Sequence, residues 1–164
     1  DNFKTYCNDI DSNKLREFKF KSYSANSFFD GRVLKNGNRA LFYEPLEAFM
    51  GYFYERILKV FFDYLYVNKN IYQTNNSIHE IANDIELAIC FVYQGGSIYD
   101  TPFWDYAKEI SYDRLNNDLR WQNQISEIQM IKRENYYQMR NHGVGAFPVK
   151  SWVDFDDNLN YNLF

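Results

Sequence analysis

"LFYEPLEAFMGYFYERILKVFFDYLYV", residues 41–67, decides the fold. Leu46, Phe49, Phe53, Ile57, Phe61 and Tyr64 recur at intervals of three and four, which gathers them on one face of an α-helix. Pro45 suits the first helical position, because an amide hydrogen there would lack a partner anyway. The spacing therefore predicts a helix from about Pro45 to Val67. Glu55–Lys59 and Lys59–Asp63 are i,i+4 pairs on the other face, each worth only about 0.3 kcal/mol. Glu44 and Glu47 stand at the mouth of the helix. A carboxylate at Glu47, the third helical position, completes a cap and complements the helix dipole for about 0.3–1 kcal/mol.

Upstream, residues 1–14 are polar and read as loop. "KLREFKFKSYS" alternates Leu15, Phe18 and Phe20 with charge, the pattern of a strand. Asp30-Gly31 and Asn36-Gly37 are turn dipeptides on either side of a short apolar "RVL". Two short strands with tight turns are expected before the long helix.

Downstream, "NKNIYQTNNS" reads as a polar loop, and Ser77 with Glu80 forms a capping box for a second helix, "IHEIANDIELAICFVY". Gly95-Gly96 ends it. Asp100 or Thr101 then caps a short helix begun by Pro102. "DRLNNDLRWQNQISEIQMIKREN" is helical and more polar, and "NHGVGAFPVKSWVDF" is expected to be a glycine-punctuated loop with a buried aromatic or two. The fold class is mainly α with a small β piece.

Composition narrows the function. The 164 residues are 46% hydrophobic, 24% charged and 20% aromatic, with fifteen Phe and fifteen Tyr, so a packed core is expected rather than disorder. A net charge of −4 without a basic block argues against a nucleic-acid partner. No run approaches the ~18 apolar residues of a membrane span. Cys7 and Cys90 form no paired framework, which suits free thiols in a reducing cytoplasm. His79 and His142 share no ligand spacing, so no metal is expected, and His79 reads as a polar helix-surface residue. "DNFKTYCNDIDSN" is no signal peptide and lacks an initiating methionine, so a processed product or the tail of a longer chain is expected.

Three pieces, in order, carry a resemblance: "FKFKSYSANSFFDGRVLKNGNRALFYEPLEA", "YDTPFW" and "GAFPVKSW". Together they resemble the C-terminal part of the flavin-dependent tryptophan halogenase family. There a turn segment runs into "EPLE" at the start of a long helix, and "DTPFW" follows some fifty residues on. Here these are Glu44-Pro45-Leu46-Glu47 and Asp100-Thr101-Pro102-Phe103-Trp104. The resemblance spans about residues 15–155. It implies the substrate-side portion of a larger α/β, FAD-dependent monooxygenase-like fold, with residues 1–44 joining a flavin domain and 45–164 forming a helical substrate-side region.

The resemblance also implies a chemistry. Reduced FAD from a separate flavin reductase forms a flavin hydroperoxide, a halide ion attacks it, and hypohalous acid passes to a lysine beside a small electron-rich, indole-like aromatic substrate. Glu47 matches the glutamate that positions the electrophile or takes the ring proton, work suited to a carboxylate. Phe49 and Met50 match the backbone amides that contact halide, in place of the family's smaller residues. Gly37 and Asn38 match the turn that approaches the flavin, beside Pro45, with Arg39 and Leu41 replacing small residues. Phe103, Trp104 and Trp152 match a pocket wall, although aromatic residues in such positions also serve simply as core. Asp100 serves as a cap.

The chain has no Gly-x-Gly-x-x-Gly after a first strand, and neither the family's Trp-x-Trp-x-Ile-Pro signature nor its catalytic lysine. A fragment, one half of a split enzyme, or a relic is expected, with an upstream FAD-binding segment or chain as partner. Two other functions are compatible with the same residues: a stand-alone helical interaction protein that keeps the motif scaffold, and a flavin-dependent monooxygenase.

Overall fold

A computed structural model describes residues 21–43, 49–67, 69–95, 101–134 and 136–164. The chain is mainly helical, with two small antiparallel sheets. Strand β1 (Tyr23–Ser24) pairs with β2 (Leu41–Phe42) in the register Tyr23↔Phe42 and Ser24↔Leu41. Three helices follow: α1 (Phe49–Tyr66), α2 (Ile71–Gln94) and α3 (Pro102–Asn116). Then come α4 (Leu119–Glu134), α5 (Tyr136–Asn141), a hairpin of β3 (Gly143–Val144) and β4 (Phe147–Pro148), and α6 (Val149–Leu159).

The strand expected around Leu15, Phe18 and Phe20 lies outside the described residues, and the segment between β1 and β2 keeps its predicted turns without a full strand at "RVL". Asp30 Oδ1 accepts the amides of Arg32 and Val33, each at 2.8 Å, and Gly31 takes φ +93°, a left-handed conformation that costs glycine little. "RVL" contributes only an isolated bridge, Phe29 to Leu34. Asn36-Gly37 opens a 3₁₀ turn over Gly37–Arg39 rather than a hairpin, with the Asn36 side chain accepting the Gly37 amide. Asn75 of α2 stitches this segment down. Its Oδ1 accepts the Phe28 and Phe29 amides at 2.7 and 3.0 Å, and its Nδ2 donates to the Phe29 carbonyl at 2.7 Å.

The apolar spacing is realised from Phe49 onward, Leu46 lying outside the described residues: Phe49, Phe53, Ile57 and Val60 are buried, and Phe61 and Tyr64 hold Phe29 between them, with ring centroids 5.7 and 4.7 Å away. Each fully buried side chain of this size contributes about 1.5–3 kcal/mol. Asp63, expected to face Lys59, accepts from Lys69 at 3.3 Å.

The cap of α2 lies at Asn70, seven residues before the Ser77 of the predicted box. Asn70 accepts the Gln73 amide at 2.9 Å and Gln73 accepts the Asn70 amide at 3.1 Å, a reciprocal cap. This box takes precedence, and Ser77 lies inside the helix. The C-terminal half of α2 is buried on several sides, at Ile85, Leu87, Ala88 and Phe91, because it packs between α1, α3 and the later helices.

The predicted polar helix is broken at Asn117-Asp118. Asp118 Oδ1 accepts the Arg120 and Trp121 amides at 2.8 and 3.2 Å, so its side chain starts α4 afresh. The predicted loop at 141–155 is instead a hairpin turned by Gly145 (φ +57°) and the first turns of α6. Phe91, Trp121, Trp152 and Phe147 form the aromatic centre, with successive centroids 5.0–5.5 Å apart.

Candidate functional site

Glu44, Pro45 and Glu47 lie outside the described residues, as does Asp100. The residues flanking the first motif are anchored. On one side, Tyr43 is partly buried near Glu86, Cys90 and Arg114. Burial, and then the Glu86 charge, push its phenol up to about 12, so Tyr43 stays a neutral hydroxyl. On the other side, Phe49 is buried against Phe147, with ring centroids 5.0 Å apart, and Met50 is partly buried beside the core. The Phe49 side chain is thus core; a halide contact there would fall to the backbone alone.

Beside Tyr43, Arg114 of α3 forks between α2 and the α3–α4 junction. Its Nε donates to Glu86 at 3.0 Å, and Nη1 pairs with Asp118 one turn on. Two carboxylates hold this guanidinium well above its ordinary pKa, against the opposing effect of burial. Cys90 lies on the same side, and burial followed by the Glu86 charge raises its thiol to about 11. At neutral pH it is a thiol and not a nucleophile.

The second motif is seated on the same helix pair. Thr101 caps α3 by position, without a side-chain hydrogen bond, and Pro102 takes the first turn. Trp104 stacks on Tyr93 of α2 at 5.5 Å and 28°, and Phe103 meets Trp104 edge-on at 5.0 Å while staying 53% exposed. Phe103 and Trp104 therefore form one partly open aromatic surface. Trp152 does not join it. It is fully buried, packs on Phe91, and donates its indole N–H to the Val144 carbonyl at 2.8 Å. Residues 91 and 93 project to nearly opposite sides of a helix, so Trp152 and Trp104 flank α2 from different directions.

Gly37 sits in its 3₁₀ turn at φ +57° with the Tyr54 hydroxyl 3.9 Å from the place a Cβ would occupy, and Asn38 is exposed. His79 leans its ring on Phe28, 4.8 Å away, with Nε2 3.2 Å from the Asn26 carbonyl oxygen. Among the described residues no group of three or more His, Cys, Asp or Glu is arranged to hold a metal, and no helix is long and apolar enough to cross a membrane.

One polar cluster went unread in the sequence. Asp84, on α2, borders a cleft of about 250 Å³ between α1 and α2 that Arg56, Lys59 and Glu80 also line. Burial pushes its carboxyl up, while Arg120 at 3.0 Å and Gln124 at 3.2 Å from Oδ1 oppose the shift. The signal was faint: an acid between Ile81 and Ile85, and an Arg–Gln pair one turn apart on α4.

No family model matches this chain, and no curated protein or solved structure is significantly similar to it.

Proposed function

We propose that this chain is the C-terminal, substrate-side part of a FAD-dependent halogenase acting on an electron-rich, indole-like aromatic. The observation that carries the proposal is that residues of both motif regions lie close to one helix pair. Tyr43, adjoining Glu44–Glu47, lies near Glu86, Cys90 and Arg114 of α2 and α3, and Trp104 of the second motif stacks on Tyr93 of α2. Glu47 is the carboxylate proposed to take the ring proton, and Phe103 and Trp104 the aromatic surface that holds the substrate. Bound reduced FAD, with halide and oxygen, would supply the electrophile; the protein's part is positioning.

The test is capture of the tagged chain at low salt, followed by mass and flavin absorbance, then assay of the captured material with reductase, halide and indole. A heavier partner arriving with flavin, and a product bearing the halogen isotope pattern, support the proposal. Glu47→Gln then lowers turnover sharply at unchanged stability. An oxygenated product assigns the assembly to the monooxygenases instead.

A second function is favoured by one feature of α1. Leu58, Phe62, Leu65 and Tyr66 form an apolar stripe on its outer face, each between 47% and 77% exposed. A helical interaction protein would use such a stripe directly. Capture of a partner without flavin supports that reading.

A further inference from the structure

Residues 161–164 lie on the helices as a bound peptide lies on its receptor. Asp156, 2% exposed, accepts the amides of Leu163 at 3.0 Å and Phe164 at 3.1 Å. Gln129 and Lys132 of α4 donate to the Leu163 and Phe164 carbonyls at 2.7 and 2.9 Å. Side chains thus satisfy the backbone of Leu163 and Phe164, whereas the Tyr161 amide donates to the Asp156 carbonyl at 3.2 Å, and the Phe164 ring lies 5.9 Å from that of Phe91. Asn160 and Asn162 take left-handed conformations, φ 56° and 55°, that turn the chain back from α6.

Tyr161 makes the contact that matters elsewhere. Its ring stands edge-on to Phe91 at 5.2 Å. Its Oη accepts the Gly95 amide at 2.6 Å and donates to the Val92 carbonyl at 3.0 Å, closing over the last turn of α2. Gly95 has ordinary right-handed dihedrals, φ −76° and ψ −20°, so conformational freedom does not explain the glycine. Close approach does: a Cβ at Gly95 would run into the Tyr161 ring. The turn held in this way carries Tyr93, on which Trp104 stacks.

We infer that Tyr161 is a positioning residue: residues 161–164 form a latch that fixes the end of α2 and, through Tyr93, the Trp104 surface. The latch stands on its own geometry; its bearing on substrate rests on the halogenase proposal.

Tyr161→Phe in the full chain tests it, because the ring contact survives while both hydrogen bonds are lost. Exchange of the Gly95 amide, followed by NMR, accelerates about tenfold, the Trp104 indole resonance shifts, and amides in the middle of α1 keep their protection. Unchanged Gly95 exchange overturns the latch. If α1 amides also lose protection, Asp156→Asn is read instead, since it weakens the hold on Leu163 and Phe164 without touching α2. The same local acceleration at Gly95 supports the latch, and its absence overturns it. In a reconstituted halogenase, Tyr161→Phe raises KM several-fold with little change in kcat. Absence of halogenation by the wild-type assembly overturns the functional proposal, while Gly95 exchange still decides the latch.

Discussion

The indole N–H of Trp152 donates to the carbonyl of Val144 across 2.8 Å, tying α6 to the hairpin that precedes it. Both residues are buried, so the carbonyl has no water to fall back on. Trp152→Phe removes the donor, strands that oxygen and leaves a void beside Phe91 and Phe147. The expected loss is about 2–4 kcal/mol of unfolding free energy, read from urea denaturation. A loss under about 1 kcal/mol would mean that the hairpin is not held this way.

Phe53 and Phe62 offer the same side chain on two faces of α1. Phe53 is fully buried and meets Phe28 edge-on at 6.0 Å, whereas Phe62 is 52% exposed. Phe53→Ala is expected to cost about 3–5 kcal/mol. Phe62→Ala should stay within about 0.5 kcal/mol. Equal costs would show that the outer stripe is covered in the folded chain.

What the sequence made legible follows from how locally each feature is encoded. The apolar face of α1 rests on residues three and four apart, and Phe49, Phe53 and Ile57 are buried as that spacing predicts. The Asp30-Gly31 turn and Pro102 at a helix start are local as well. Two of the errors came where local signals competed. Asn70–Gln73 displaced Ser77–Glu80 as the cap, and Asp118 cut a continuous helical pattern in two. The pairing of Asp84 with Arg120, thirty-six residues apart, and that of Gly95 with Tyr161, sixty-six apart, leave no local trace. In the site, Trp104 and Trp152 carried the same aromatic signal, and only tertiary packing separated a half-open surface from the core.

Acid should weaken the junction between α3 and α4. Burial alone would raise the Asp118 carboxyl, but Arg114 and the Trp121 and Arg120 amides outweigh it and set the pKa below its ordinary value. A carboxylate depressed in the folded state stabilises at neutral pH, and that contribution fades as pH falls from about 4 through the folded value. Asp118→Asn keeps a capping oxygen but removes the charge facing Arg114. Urea midpoints at pH 7 and pH 3 should therefore lie closer together in Asp118→Asn than in the wild type. An identical difference in both proteins would sink the assignment.

Gly145 and Gln124 supply a sharper test of the polar cluster beside Asp84. A Cβ on Gly145 would stand 2.8 Å from Gln124 Nε2 and 3.2 Å from Oε1, and the backbone there is left-handed. Gln124 is 7% exposed and its Nε2 donates to Asp84, while its buried Oε1 has no hydrogen-bond partner among the described residues, so the Asp84 bond is what a displaced amide would give up. Gly145→Ala thus incurs two separable costs: about 1 kcal/mol for the backbone and about 1–2 kcal/mol for dislodging a buried hydrogen bond. Gln124→Ala removes the second cost in advance. In that background Gly145→Ala should be only about 1 kcal/mol destabilising, so the double mutant is more stable than the sum of the single mutants implies. Strict additivity in urea denaturation would show that the Gln124 amide yields freely and that Gly145 is kept for its dihedrals alone.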